Sequence, residues 1–356
     1  MYLGIEIGGT KLQVGVGTGT TPQLADLRRD TVDRGRGAAG ILETIRRRVS
    51  ELAARHLVTA IGIAFGGPID PATGRIVKSH HVDGWDDFPL VQWCRNELEL
   101  PAVIANDADL AGLAEARLGA GQGADIVFYV TVGTGIGGAL VQHGKLYTGS
   151  CGIASELGHL RLGPEAESPA DILETRAAGW GIAAQAKAVM RRLLPNRVPE
   201  HCLDDIPQPI RKSAGGRAPN RPLETSDASS ALRLAAEEVW DLVDGDPSRI
   251  DVKLLGEAAA RGNKFASGIL ADSVRHLGWG IAQVVTLVAP HRIIVGGGVS
   301  LLGEELFFAP LRQAVARYVF PPLADRYEIL PAALGEEVVV HGALVLAADS
   351  FSQAAC

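Results

Sequence analysis

Apolar and small residues alternate on both sides of Gly8-Gly9-Thr10 along residues 1–17. This alternation predicts two short strands joined by a tight turn. The pattern returns over residues 127–141, where Gly133-Thr134-Gly135-Ile136-Gly137-Gly138 separates two apolar runs. A strand–turn–strand unit that occurs twice, each time opening a series of alternating strands and helices, predicts a duplicated α/β domain. A third apolar run, Ile293-Ile294-Val295, ends in Gly296-Gly297-Gly298 and predicts a buried strand closed by a glycine turn.

Between these landmarks the pattern predicts a helix over residues 38–57 and a buried strand over 58–65 that runs into Gly66-Gly67-Pro68. A turn at 70–74 leads to a short returning strand at 75–78. A helical segment lies within 85–98, a strand at 102–105, and a strong helix over 108–118. In the second half, helical spacing covers 170–194, 232–243, 252–262, 265–288 and 306–317, with a closing helix over 338–351. Residues 195–230 break the pattern: Pro195, Pro199, Pro207, Pro209, Pro219 and Pro222 stand among few apolar residues, which predicts a mobile insertion. The expected division is residues 1–118 together with 338–352 as one α/β domain, and 119–337 as the other.

Composition narrows the function. At 356 residues, 47% hydrophobic and 21% charged, the chain has the make-up of a globular protein with room for two domains. A net charge of −7 argues against a nucleic-acid surface. No apolar run is long enough to span a bilayer, and Met1 leads into a strand without a signal-peptide pattern. Cys94, Cys151, Cys202 and Cys356 form no Cys-x-x-Cys pair, so reduced thiols in a cytoplasmic protein are expected.

The glycine turns carry the candidate chemistry. Glycines let backbone N–H groups converge on an anion, and Thr10 and Lys11 add a hydroxyl and a positive charge. Glu6, just before the turn, is placed to hold a metal ion through water. Phosphates between the two hairpin turns, with adenosine on the third, would satisfy all three. Asn106-Asp107 end a strand, where ligands gather in α/β sheets, although the pair also reads as a helix cap. Glu156 and His159 stand in a glycine-punctuated loop beside the second turn, suited to sugar hydroxyls.

In order along the chain, Gly8-Gly-Thr-Lys11, Gly66-Gly-Pro-Ile-Asp70, Asn106-Asp107 with Glu115, Gly133-Thr-Gly-Ile-Gly-Gly138, Ser155-Glu-Leu-Gly-His159 and Gly296-Gly-Gly298 resemble the ROK family (repressors, open reading frames, kinases) of the actin-like, hexokinase-like ATPase superfamily. The resemblance covers nearly the whole chain outside the proline-rich stretch. It implies two actin-like α/β domains with a sugar and ATP in the cleft between them, a magnesium ion, and a homodimer. It implies Asp107 as the catalytic base, and Gly67, Asn106, Asp107, Glu156, His159 and Glu174 as sugar contacts. Gly9, Thr10, Lys11, Gly133, Thr134, Gly135, Gly297 and Gly298 are implied as the ATP site, and Glu6 as the magnesium-organising carboxylate. The chain begins at the first strand, so the family repressors' N-terminal DNA-binding region is not expected.

The sequence departs from the family pattern in three places. Glu6 stands where the family usually has Asp, and His81 where sugar kinases tend to have Asn. Residues 160–174 hold no cysteine, with Ile172 at the position of the last zinc ligand, so no structural zinc is expected. The expected activity is transfer of the γ-phosphate of ATP to a hydroxyl of a hexose, glucose or an N-acetylated relative. The alternatives are a catalytically weakened sugar or nucleotide sensor, and an actin-like filament or chaperone ATPase.

Overall fold

The first alternating run folds into β1 (Tyr2–Ile7) and β2 (Lys11–Gly17), paired antiparallel about the turn. β3 (Leu24–Thr31) extends this meander. It was not foreseen from the sequence, because this edge strand carries charge on both faces: Asp26, Arg28 and Asp30 are partly buried in ion pairs that include Glu51 and Arg48, and Arg29 is exposed on the other face. α1 (Gly37–Ala53) buries Ile41, Ile45, Val49 and Leu52 along one face and crosses to β4 (Ala60–Phe65), parallel to β1. A small hairpin of β5 (Ile69–Asp70) and β6 (Arg75–Ile76) follows, then α2 (Leu90–Glu97) and β7 (Ala102–Asn106), parallel to β4. The sheet order is β3-β2-β1-β4-β7. α3 (Asp107–Leu118) begins where β7 ends.

The second half repeats this wiring. β8 (Ile126–Val132), β9 (Ile136–Gln142) and β10 (Lys145–Tyr147) form the antiparallel meander. β11 (Arg292–Gly296) and β12 (Glu328–Pro331) add parallel strands, giving the order β10-β9-β8-β11-β12. The computed structural model describes residues 1–79, 82–203, 206–207, 210 and 226–352. The expectation for His81 and that of a mobile insertion over 211–225 lie outside the described residues.

The helices of the second half differ in detail from the sequence expectation. The run predicted over 170–194 is two helices, α4 (Glu174–Ala177) and α5 (Gly179–Leu193), separated by an extended Ala178. The break has a cause: the Gly179 N–H donates to the Gly133 carbonyl, 2.8 Å away, rather than continuing the first helix. The helix expected at 306–317 begins as a π-turn, Glu304–Phe308, and becomes α-helical at Ala309–Tyr318, where Pro310 fits the first turn. Within the proline-rich stretch, Glu200–Leu203 form a 3-10 turn, Ser226–Leu242 form a helix, and Val198, Ile206 and Ile210 are buried. The helix Lys264–Val288 runs through the largest hydrophobic core.

The closing helix Val338–Phe351 returns to the first sheet. It lies so close that a Cβ at Gly62 would stand 1.8 Å from the Ala343 carbonyl oxygen, and one at Gly342 would stand 1.9 Å from that of Leu110. Only hydrogen fits at either position. Leu110, Leu113, Ala343 and Val345 pack with Val127, Tyr129 and Ile294 of the second sheet in one core. α3 and the closing helix therefore form a layer that touches both sheets, and the first residue of α3 is Asp107. Among the described residues no helix is long and apolar enough to cross a membrane.

Candidate functional site

Because β3 is antiparallel to β2, it is parallel to β1, and β1, β3, β4 and β7 all end at one edge of the first sheet. The Gly8–Lys11 turn, Gly66-Gly67 and Asn106-Asp107 gather there. Asn106 caps α3: its side-chain oxygen accepts from Ala108 N at 2.9 Å and Asp109 N at 3.4 Å, while its amide nitrogen makes no hydrogen bond to the other described residues. The same cap sets the orientation of Asp107, whose Oδ1 accepts from Ala108 N at 2.8 Å. Its Oδ2 lies against Gly66, where a Cβ would approach to 3.0 Å. Below the Gly66-Gly67 loop, Trp85 stacks edge-on with Phe65 and Phe88 at 5.6 and 5.3 Å.

Burial pushes the Asp107 carboxyl above the usual carboxylate range, and the charge of Glu156 adds to the rise. Asp109, two residues along, is pushed up to about 7 by burial and by the charges of Glu156 and Asp107. Sequence reasoning passed over Asp109. Its only signal was the spacing Asp107-Ala-Asp109, which a helix N-terminus explains equally well.

The first turn is held by charged side chains. Glu6 is 8% exposed. Its Oε1 pairs with Lys11 Nζ at 3.3 Å, and its Oε2 accepts from Gln13 Nε2 at 2.7 Å. Burial raises the Glu6 pKa, against the Lys11 charge and the Gln13 hydrogen bond, which lower it. Lys11 and Gln13 also donate to the Glu336 carbonyl at 3.4 and 3.2 Å, which ties the turn to the segment leading into the closing helix. Arg34 donates through Nε to the Gly9 carbonyl at 2.9 Å. Thr10 is exposed, and its carbonyl accepts from Val32 N. Gln13 was missed in the sequence because a buried polar residue on an alternating strand looks like any other inward position.

The second turn is held by backbone and one carboxylate. Gly133 accepts from Gly179 N, and its own N–H donates to Gly135 O at 2.9 Å. Glu174 Oε2 accepts from Ile136 N at 2.9 Å, and Trp180 Nε1 lies 3.4 Å from Oε1. Glu174, Gly133, Thr134 and Gly135 are thus brought together. Gly297, at φ +88°, presses on the end of β8: a Cβ there would stand 2.5 Å from the Val132 oxygen. The third turn, with Gly298 opening onto free space, therefore sits beside the second.

Glu156 and His159 face each other at 3.9 Å, with side chains 54% and 66% exposed. The loop after them is fastened by arginines. Arg161 donates to the carbonyls of Ser168 and Ala166, and Leu173 N donates to Leu160 O at 2.9 Å. Arg176 pairs with Asp171 at 3.5 Å. Among the described residues no group of three or more His, Cys, Asp or Glu side chains could hold a metal ion. Glu115 is fully buried and accepts from Ala120 N, Ala333 N and Leu334 N at 2.8–2.9 Å, latching the end of α3 to the segment after β12.

A family model described as the ROK family matches residues 2–350. A glucokinase of Thermotoga maritima is 30% identical over 341 residues, covering 96% of this chain and 95% of that protein. The crystal structure of a ROK family glucokinase from Streptomyces griseus in complex with glucose and AMPPNP superposes with a TM-score of 0.73 at 28% identity, covering 98% of this chain and 99% of that one. A ROK hexokinase from Thermus thermophilus superposes at 0.75 with 25% identity, covering 99% of each chain. The paired sheets described above are the two actin-like α/β domains of this fold.

Proposed function

We infer that this chain, which belongs to the ROK family, is an ATP-dependent hexose kinase acting on glucose or an N-acetylhexosamine-like sugar. The observation that carries the reading is the position of Asp107: a half-buried carboxylate of raised pKa, at the head of the layer joining the two sheets, on the edge that also carries the first glycine turn. The Thermotoga maritima and Streptomyces griseus relatives, matched over nearly their whole length, are glucokinases, which favours catalysis over a sensor role.

In this reading the domains are residues 1–118 with 338–352, and 119–337, and the sugar lies between them. Gly67, Asn106, Glu156, His159 and Glu174 surround it. Asn106 offers the amide nitrogen left over from its cap. Glu156 and His159 offer open side chains, and Glu174 acts mainly through the second turn it braces. ATP lies with its phosphates between Gly9-Thr10-Lys11 and Gly133-Thr134-Gly135, and its adenosine on Gly297-Gly298.

The chemistry is in-line displacement. Asp107 takes the proton of a sugar hydroxyl, the hydroxyl oxygen forms a bond to the γ-phosphorus, and the β–γ bridging bond breaks with its electron pair leaving on ADP. The substrate is Mg·ATP, whose metal neutralises phosphate charge. Magnesium is commonly held by one or two carboxylates plus substrate phosphates, and Glu6 fits that mode through water, its own oxygens being held by Lys11 and Gln13. Closure of the cleft would exclude competing water. The negative net charge suits small-molecule partners rather than nucleic acid, and a cytoplasmic homodimer accompanies this reading.

The test is ADP release from Mg·ATP against a panel of hexoses, amino sugars and N-acetyl sugars. Sugar-dependent ADP production is the expected result. A sugar-induced rise in melting temperature without turnover would support the sensor instead.

A further inference from the structure

The first turn needs positive charge if it is to face a nucleotide triphosphate. Lys11, the residue that supplies it by position, is already committed: its ammonium lies between Glu6 Oε1 at 3.3 Å and the Glu336 carbonyl at 3.4 Å. Although its side chain is 45% exposed, its charge is shared with these two protein groups before any substrate arrives. A second cation stands at the same turn. Arg34 opens the 3-10 turn Arg34–Arg36, which Asp33 caps by accepting from Gly35 N at 2.9 Å. This turn follows β3, and β3 ends at the edge that holds Gly8–Lys11 and Asp107. Arg34 Nε donates to the Gly9 carbonyl at 2.9 Å, and the residue is exposed. Its terminal nitrogens make no hydrogen bond or ion pair with other described residues.

A guanidinium pinned through one nitrogen presents its remaining donors as a planar fork, the geometry that suits phosphate oxygens. The neighbouring basic residue is differently placed, since Arg36 is engaged by Glu43 at 2.6 Å.

We propose that Arg34 is a catalytic residue of the first turn: anchored on the Gly9 carbonyl, it contacts the terminal phosphate oxygens of the nucleotide and stabilises the charge that spreads over them as the γ-phosphoryl group passes to the sugar. The proposal rests on the kinase reading above. It assigns the two cations of this turn different tasks. Lys11 divides its charge between the phosphates and its Glu6 and Glu336 partners, while Arg34 gives its terminal nitrogens to the substrate.

The experiment compares full-length wild type with Arg34→Ala, Arg34→Lys and Arg34→Gln in sugar-dependent ADP release, alongside calorimetric titration with Mg·AMPPNP and melting temperatures. Arg34→Ala is expected to lower kcat on the order of a hundredfold, less than a transition-state arginine acting alone because Lys11 still contributes, with sugar KM within about twofold of wild type. Lys should restore part of the loss, because it keeps the charge. Gln should not, although it keeps an N–H for the Gly9 carbonyl. Rescue by Gln and not by Lys would overturn the proposal and leave Arg34 as a brace of the turn. An unchanged kcat in a folded Arg34→Ala would overturn it as well. If the wild type turns over no sugar, the kinase reading fails separately. Arg34 is then decided by the titration: weaker Mg·AMPPNP binding in Ala and Gln than in Lys supports phosphate contact, and equal binding refutes it.

Discussion

The turns Gly8-Gly9-Thr10 and Gly133-Thr134-Gly135 are near twins in sequence and sit at equivalent places in two sheets of the same order, yet they are held in opposite ways. The first is surrounded by ionisable groups: Glu6, Lys11 and Arg34, with Gln13 between them and Glu336. The second is tied by main-chain bonds from Gly179 to Gly133 and from Gly133 to Gly135, with the Glu174 carboxylate bracing it by accepting from Ile136 N. Duplication supplied one backbone device twice, and the side chains around each copy then diverged. A turn held by charges can respond to the charge of its ligand. A turn held by backbone is a rigid seat.

The largest expected effect comes from the carboxylate at the head of α3. Asp107→Asn removes the proton acceptor while keeping the shape, and should lower kcat by roughly a thousandfold with sugar KM nearly unchanged, measured by coupled ADP release. Turnover close to wild type would take the base role away from Asp107. Next is the second turn. Glu174→Ala leaves the Ile136 N–H without its acceptor, which costs about 1–3 kcal/mol when such a group is buried. A lower melting temperature together with a raised KM for ATP is the expected pair of readouts; a changed KM for sugar alone would mean that Glu174 acts on the sugar and not on the turn.

Glu6→Asp probes the first turn more gently. A shorter side chain cannot keep both the buried Gln13 hydrogen bond, worth about 1.5–3 kcal/mol to a charged group, and the Lys11 pair, which solvent screens to about 1 kcal/mol or less because Lys11 is 45% exposed. Activity should fall by several-fold and be partly recovered by higher magnesium. Complete loss would mean that the site is built around the longer carboxylate, and a gain would mean that the network is dispensable.

The smallest effect is one of pH. Asp107 must be ionised to accept a proton, and its pKa lies above the usual carboxylate range, so activity should be present above that raised pKa and fall as the pH drops through it. Asp109, at about 7, shares the negative field with Asp107 and Glu156. Glu156→Gln removes the charge that adds to the rise of the Asp107 pKa and should shift the acidic limb of kcat/KM to lower pH. An unmoved limb would show that the Glu156 charge does not reach the reacting carboxyl.

Much of the architecture was legible because it depends on local pattern. Period-two apolar runs around glycines marked β1, β2, β8, β9 and β11, and helical spacing marked α1, α3 and the closing helix. β3 was not legible, since charged residues on both faces of an edge strand leave little hydrophobic contrast. Neither was the break at Ala178, because the bond that causes it joins Gly179 to a residue 46 positions away in the chain, Gly133. At the site, Asn106-Asp107 could be read from a strand meeting a helix, but Asp109 could not be distinguished from an ordinary first-turn acid.

By itself, then, the sequence determined the duplicated α/β plan, the three glycine turns and the ordered motifs that identify the family, since each depends on residues adjacent in the chain. Only the tertiary structure decided which partner each polar group has. It placed Glu6 against Lys11 and Gln13, drew Glu174 onto the second turn, set Glu115 as a latch and put Arg34 on the Gly9 carbonyl. Electrostatic and hydrogen-bonded pairing acts over a few ångströms of space whatever the separation along the chain, so those choices exist only once the two sheets and the helices between them are assembled.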